Sequence, residues 1–489
     1  MVLILLVGLL GKTTDIVQRK ASDYKYNPFF EHTEDFDVIF MGSSHVINAI
    51  FPMELWNDYG ITSYNFGGHG NHLATTYWVL RNSLDYTKPK VVVIDCLALG
   101  SMQKTSDNFS NVHLSFDAFP LSITKIKGVE DLLNDPEIDR KINEGIITET
   151  EKRTKIGLLW DYSVYHTRWE KLGIEDFEVS STVEYGAESR IQISYPGKIV
   201  ENSGAKLTEE TVGVIYLRKM IEECQNKDIE VILTYLPYPV GNETIWMDVN
   251  MVYDIAKEYG VPYINFLEEE IVDYNTDCYD DASHLNPSGG WKVTNYLGEY
   301  LQNNYNLIDH RGDKDYSYWD EDYEAYENYK DTRFASVSDL NTFLMLLEDD
   351  NYGFVMNIGD STIFNDSITI NLLKNKGIDV AKINEETKYI IVCGNDVEVI
   401  NSDINVDGTY KDLKELLVLN SNTLSVLEGR ISITVFDIDE KHRIVDYSEF
   451  GIPRAIEMDE RYPNQYGVIV LSSKATRLEN SNAHHFISE

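Results

Sequence analysis

Val38-Ile39-Phe40-Met41-Gly42-Ser43-Ser44-His45 (VIFMGSSH) is the stretch that decides the fold. Its four apolar residues in a row read as a strand buried on both faces. Gly42-Ser43-Ser44 follows at once, with a helix starting behind it. A serine at such a strand-to-helix turn stands at the strand's C-terminal edge. Its N–H belongs to a helix N-terminus, which favours negative charge developing beside it. Serines placed this way also serve as plain helix caps. Ser44 is therefore a nucleophile candidate that needs partners.

Working outward, short apolar runs alternate with amphipathic stretches from Asp37 to about Tyr305. Residues 91–94 (VVVI) and 231–235 (VILTY) read as buried strands, and 64–66 and 263–266 as weaker ones. Helical spacing occupies 73–84, 209–224 and 252–259. Asn286-Pro287 opens a last helix to about Asn304, with asparagine as cap and proline in the first turn. This alternation predicts an α/β domain with a parallel sheet and crossover helices in three flavodoxin-like layers. An insertion at about 100–204 interrupts it and shows no clear period.

The partners sit just ahead of that last helix. Asp281-Ala282-Ser283-His284 puts an acid three residues before a histidine on a loop. Such a pair presents both side chains to one edge of a sheet. Asp281 would fix the tautomer of His284, and His284 would take the proton of Ser44. The plainer reading is that both satisfy local backbone groups of their loop.

Strand-GSS-helix near the start and DxxH-helix at the end together resemble the SGNH (GDSL-like) hydrolase superfamily, over roughly residues 36–305. The resemblance implies Ser44 as nucleophile, with Asp281 and His284 completing a triad. Tyr64-Asn65-Phe66-Gly67-Gly68-His69-Gly70 looks like the second block of that family, where a glycine N–H enters the oxyanion hole, so Gly67 or Gly68 is the expected donor. Two departures stand out. Ser43 occupies the place of the usual aspartate before the nucleophile. The third block reads Asp95-Cys96-Leu97-Ala98-Leu99-Gly100 and lacks its oxyanion asparagine, a role for which Asn65 is the candidate replacement.

That pattern is similar to the extracytoplasmic acyltransferase branch, alongside the teichoic acid D-alanine transfer protein and the alginate-type O-acetyltransferases. The branch implies O-acylation of a cell-surface polysaccharide, a glycan acceptor, and a membrane-bound O-acyltransferase partner supplying acyl groups. An esterase acting on acylated glycan and a non-catalytic glycan-binding scaffold are the alternatives. No cofactor or metal is implied: the four cysteines lie far apart, with no zinc-ligand spacing. Cys96 and Cys393 end apolar runs and read as buried thiols.

Charge narrows the partners. The chain of 489 residues carries 81 acidic and 42 basic residues, a formal net charge of −39. Such a surface repels phosphate backbones and excludes nucleic acid as a partner. It favours a neutral or zwitterionic glycan over a uronate polymer. Within the insertion, Tyr165-His166-Thr167-Arg168-Trp169 suits a glycan or carboxylate, with His166, Arg168 and Trp169 as contacts; a structural cluster is the alternative.

The remaining segments set the domain plan. Residues 1–35 form a lead-in whose first ten residues, MVLILLVGLL, are almost wholly apolar. Ten residues do not span a bilayer, so they read as the outer end of a membrane anchor, or else as a buried strand or short helix. An anchored or secreted, extracytoplasmic location follows from the first reading. Residues 36–310 form the SGNH-like domain. Residues 311–335 form an acidic, aromatic connecting helix, in which Trp319, Tyr323 and Tyr326 make either a packing stripe or a sugar platform. Residues 336–489 form a smaller α+β accessory domain, faintly similar to the interleukin-like EMT-inducer fold, which implies glycan binding; a spacer or interaction module is the alternative.

Overall fold

Five strands, β1 (Val38–Gly42), β2 (Ser63–Gly67), β3 (Val91–Asp95), β4 (Glu230–Tyr235) and β5 (Tyr263–Asn265), form an all-parallel sheet in the order β2-β1-β3-β4-β5. The structure is a computed structural model. It describes residues 23–31, 34–148, 153–160, 170, 172–173, 183–194, 200–239, 241–279, 284–404, 409–410, 417–418, 423–438, 442–451, 454–458, 466–470 and 475–478. The chain runs outward from β1 to β2 and then crosses back to β3. At that reversal the loops diverge and leave a crevice at the strands' C-terminal ends. Gly42, the last residue of β1, opens onto it.

Alternation along the strands explains why the runs are apolar throughout. Ile39, Met41, Val92, Ile94 and Leu233 face one layer, and Val38, Phe40, Val91, Val93 and Ile232 the other. Each set is buried, so both sheet faces need helices over them. Helices Leu73–Ser83, Val212–Gln225 and Glu243–Tyr259 cover the first. Helices Ser44–Ala49 and Pro287–Asn304 cover the second. The helix expected at 252–259 starts at Glu243 instead. Asn242 caps it by accepting from the Thr244 N–H, and Trp246 and Val249 extend its buried stripe.

The insertion folds into short helices, Ser110–Phe116, Ile123–Leu133, Pro136–Asn143 and Lys155–Leu159. Ser122, Asp135 and Thr154 cap the last three through their side-chain oxygens. Further on, residues 183–194 lie as a strap along the outer edge of β2. The Asn65 N–H donates to the Tyr185 carbonyl at 3.0 Å. Gly186 follows with φ +87°, and a Cβ there would stand 2.1 Å from the Asn65 oxygen. Only glycine permits that approach.

Helix Ser317–Ser336 packs its aromatic residues inward. Trp319 stacks on Trp56 with ring centres 5.4 Å apart, and the Tyr326 hydroxyl donates to Glu54 Oε1 at 3.0 Å. Both rings are buried, so this face is a packing stripe. The same helix carries Lys330, whose buried ammonium pairs with Glu54, Glu327 and Asp349. Glu54 lies in the parallel-sheet unit and Asp349 beyond the helix, so one cation ties the two together.

Beyond it lie β6 (Tyr352–Ile358), β7 (Tyr389–Cys393), β8 (Asp396–Ile400), β9 (Thr409–Tyr410), β10 (Leu417–Val418), β11 (Ile431–Asp437), β12 (Ile444–Gly451), β13 (Arg454–Met458), β14 (Tyr466–Val470) and β15 (Thr476–Arg477). Six of them form an antiparallel sheet in the order β15-β12-β11-β6-β7-β8. Helices Leu340–Leu346 and Ser367–Asn375 pack on a core of its own that includes Phe343, Phe354, Met356, Ile390 and Ile433. All four cysteines are buried and none is in a disulfide. Among the described residues no helix is long and apolar enough to cross a membrane; the apolar stretch 1–10 lies outside them.

Candidate active site

Gly42 is where the site begins. A Cβ on it would meet Val46 Cγ2 at 2.5 Å and Asp95 Cβ at 3.0 Å, so the chain turns here against two neighbours at once. Ser43 caps the following helix, its Oγ accepting from the His45 N–H. Ser44 is thereby the first helical residue, half-buried at the crevice. Among the described residues its own N–H donates to nothing, as expected of the first turn of a helix.

His284 arrives from the other end of the sheet. The Tyr279 N–H donates to the His284 carbonyl at 2.8 Å, and Cys278 bridges to Leu285. Asn286 then caps helix Pro287–Asn304 while its Nδ2 donates to the Thr276 carbonyl at 2.7 Å. These bonds fix the end of the loop and bring His284 Nε2 to 2.8 Å from Ser44 Oγ. That is hydrogen-bond distance for a proton transfer from hydroxyl to imidazole. The His45 ring stacks on the His284 ring and in turn meets Tyr238 at 5.2 Å between centres. Asp281 lies outside the described residues, as do His166, Arg168 and Trp169.

The expected oxyanion donors are corrected by their bonds. The Gly67 N–H donates to Asn65 Oδ1 at 2.9 Å, and the Gly68 N–H to the Gly42 carbonyl at 3.1 Å. Asn65 Nδ2 donates to the Val46 and Ile50 carbonyls at 2.7 and 2.8 Å. All three groups are thus engaged in holding β2 against β1 and the helix behind Ser44. The physical reason is burial: an amide with no exposed surface must satisfy the backbone around it. Asn71, which the sequence reading passed over, is different. Its Oδ1 accepts from Ser115, while its buried Nδ2, beside Gly68, has no partner among the described residues. Asparagine directly after the glycine-rich block was the available signal.

The third block also behaves otherwise than an oxyanion loop. Asp95 is buried at the end of β3, and its Oδ1 accepts from the Leu236 N–H at 3.0 Å. Burial pushes its carboxyl up to about 7, against the pull of the Leu236, Leu97 and Cys96 N–H groups. Asp248 is likewise raised by burial, to about 6, with a Gly100 N–H acting against it. Among the described residues no group of acids, histidines and cysteines is arranged to hold a metal ion.

The strap is bonded to the helix that Ser44 begins. The Glu188 N–H donates to the Ile47 carbonyl at 3.1 Å, and Asn48 Nδ2 to the Glu188 carbonyl at 2.7 Å. His69 Nε2 lies 3.1 Å from Glu188 Oε1, and Arg190 lies over the Tyr279 ring at 5.3 Å.

No family model and no curated protein matches the chain. Among solved structures it is similar to a Bacteroides fragilis protein provisionally assigned as an acylhydrolase. The two share 12% identity over 58% of this chain and 97% of that one, with a TM-score of 0.30. At that score the likeness bears on neither fold nor chemistry.

Proposed function

We propose that this chain is a serine-dependent acyl-transfer enzyme of the SGNH type, which O-acylates, most naturally O-acetylates, a cell-surface polysaccharide. The observation that carries the reading is the 2.8 Å approach of Ser44 Oγ to His284 Nε2 at the C-terminal edge of a parallel sheet. Ser44 Oγ attacks the acyl carbonyl as its proton passes to His284, and His284 returns that proton to the leaving group. An acceptor hydroxyl then gives its proton to His284, attacks the acyl-serine, and frees Ser44. Asp281 is the proposed orienter of the imidazole. The unengaged Ser44 N–H is the proposed first donor to the oxyanion.

The acyltransferase assignment over an esterase rests on the absent third-block asparagine, since losing one oxyanion donor costs about 10²–10³ in rate. A membrane-bound O-acyltransferase as acyl source, an extracytoplasmic location, glycan contacts at His166, Arg168 and Trp169, and glycan binding by the antiparallel unit belong to the same proposal. Intact-mass measurement after exposure to an acetyl ester should give a chain heavier by one acetyl group, and Ser44→Ala should give none. Acceptor oligosaccharides should speed donor loss and become acetylated. Turnover in water alone at ordinary esterase rates would move the assignment to the hydrolase. Full activity in Ser44→Ala would end both.

A further inference from the structure

His284 stands on a hairpin whose base is held from outside the parallel-sheet unit. The Asn286 N–H donates to the Asp277 carbonyl at 3.0 Å, Cys278 bridges to Leu285, and the Tyr279 N–H closes on the His284 carbonyl. Asp277 and Asn286 are thus the lowest rung, and His284 is on the highest described one. The Asp277 side chain has no exposed surface. Its Oδ2 accepts from Lys292 Nζ at 2.7 Å and from the Asp273 N–H at 2.9 Å, and its Oδ1 from Thr276 at 3.0 Å.

Lys292 lies in helix Pro287–Asn304, into which the hairpin leads. Its ammonium also faces Glu348, 3.4 Å from Oε2. The same oxygen accepts from Ser288 Oγ in the first turn of that helix, and Ser288 Oγ lies 3.2 Å from Asp277 Oδ1. Glu348 belongs to the antiparallel unit. It follows helix Leu340–Leu346, and its Oε1 accepts at 2.7 Å from Asn375, the last residue of helix Ser367–Asn375. Burial works against the Lys292 ammonium, but Asp277 and Glu348 outweigh it. They hold its pKa above the ordinary lysine value, so it stays charged between them. The next residue, Asp349, pairs with Lys330, which also holds Glu54. Glu54 lies in Pro52–Tyr59, the next helix after the one that Ser44 begins. Two adjacent acids of the antiparallel unit therefore brace the supports of both Ser44 and His284.

We infer that Glu348 is a positioning residue for His284, through which the antiparallel unit fixes the hairpin that sets the imidazole against Ser44. The role rests on the serine mechanism proposed above and makes the second unit a working part of the site. Charge-assisted bonds to Lys292 and Ser288 anchor the carboxylate at the hairpin base, and Asn375 anchors it in the antiparallel unit. A displacement of about 1 Å from a change far from the chemistry can cost about 10²-fold in rate. Glu348 touches no substrate, so its loss falls on kcat and leaves KM nearly unchanged.

Full-length Glu348→Ala and Glu348→Gln are compared with the parent chain by acetyl-ester turnover and by amide hydrogen exchange. Glu348→Ala should lower kcat about 10- to 100-fold, with KM within about twofold of the parent. Exchange at the Tyr279 and Asn286 amides should quicken about tenfold or more, while the amides of β1 exchange as before. Glu348→Gln keeps the length of the side chain and an acceptor for Ser288, and should recover most of both losses. Ser288→Ala cuts the same link more mildly. It should show a smaller change in the same two readouts, and it carries the test if Glu348→Ala does not fold. Unchanged kcat in the folded variants, or a fall in kcat with hairpin exchange unaltered, overturns the inference. Full turnover in Ser44→Ala would instead overturn the serine mechanism, and hydrogen exchange alone would then decide whether Glu348 holds the hairpin.

Discussion

His45 and His284 lie face to face, ring centres 4.7 Å apart and planes 19° from parallel. His284 reaches Ser44 from a loop, whereas His45 is fixed on the buried helix beside it. The Tyr238 ring also meets that of His45, their centres 5.2 Å apart. The stack therefore transfers the rigidity of the sheet edge to the ring that lies 2.8 Å from Ser44 Oγ.

His45 is a positioning residue on this account. An aromatic pair contributes about 0.5–1.5 kcal/mol, so His45→Ala should lower kcat for an acetyl ester by roughly 2- to 12-fold. His45→Phe, which keeps a flat ring, should recover most of the loss. Parallel pH-rate profiles for the three proteins would report whether the His284 titration moves. A kcat unchanged in His45→Ala, or a Phe variant no better than Ala, would remove the role.

Asn65 tests the correction made at the oxyanion site. Its amide satisfies the Val46 and Ile50 carbonyls and the Gly67 N–H. Asn65→Ala strands two buried backbone groups, the Ile50 carbonyl and the Gly67 N–H, each worth about 1–3 kcal/mol when unpaired, while the Val46 carbonyl keeps the Ile50 N–H. Urea unfolding should show a destabilisation of several kcal/mol, while the variant that remains folded keeps most of its kcat. A stable Asn65→Ala protein with kcat reduced a hundredfold would return Asn65 to the oxyanion hole.

Asp95 gives stability a pH dependence of definite sign. Its folded carboxyl titrates near 7, against about 3.9 in an unfolded chain. Between those values the folded state holds a proton that the unfolded state has lost. Stability from this group is thus greatest below about pH 4, falls as pH rises, and is fully lost above 7. Asp95→Asn carries no such proton and should flatten the fall in urea midpoint between pH 5 and pH 8, with Asp248 leaving a residual slope. Parallel falls in both proteins would show that Asp95 is not its source.

Periodicity made the sheet legible: VIFM, VVVI and VILTY are buried strands because both faces are covered, and that leaves an unbroken apolar signature. Ser44 and His284 were legible because each sits at the edge of such a signal, one after a strand and the other before a capped helix. The insertion was not, since its helices span few turns and its strap has no period. Only the caps Ser122, Asp135 and Thr154 marked it. Arg190 and Glu188 were hidden for the same reason, their meaning residing in contacts with Tyr279, His69 and Ile47 that no local pattern encodes. Asn65 misled because its sequence neighbourhood is that of a donor, while its burial makes it a brace.

Ser44 and His284 meet across 240 residues of chain. Contacts between positions so distant in sequence form late, because the loop they close must first be shortened by everything folding between them. In refolding from denaturant, helical signal should therefore return well before ester turnover. On the proposed function, activity is in effect a clock hand that moves only when the last strand and helix have docked onto the first.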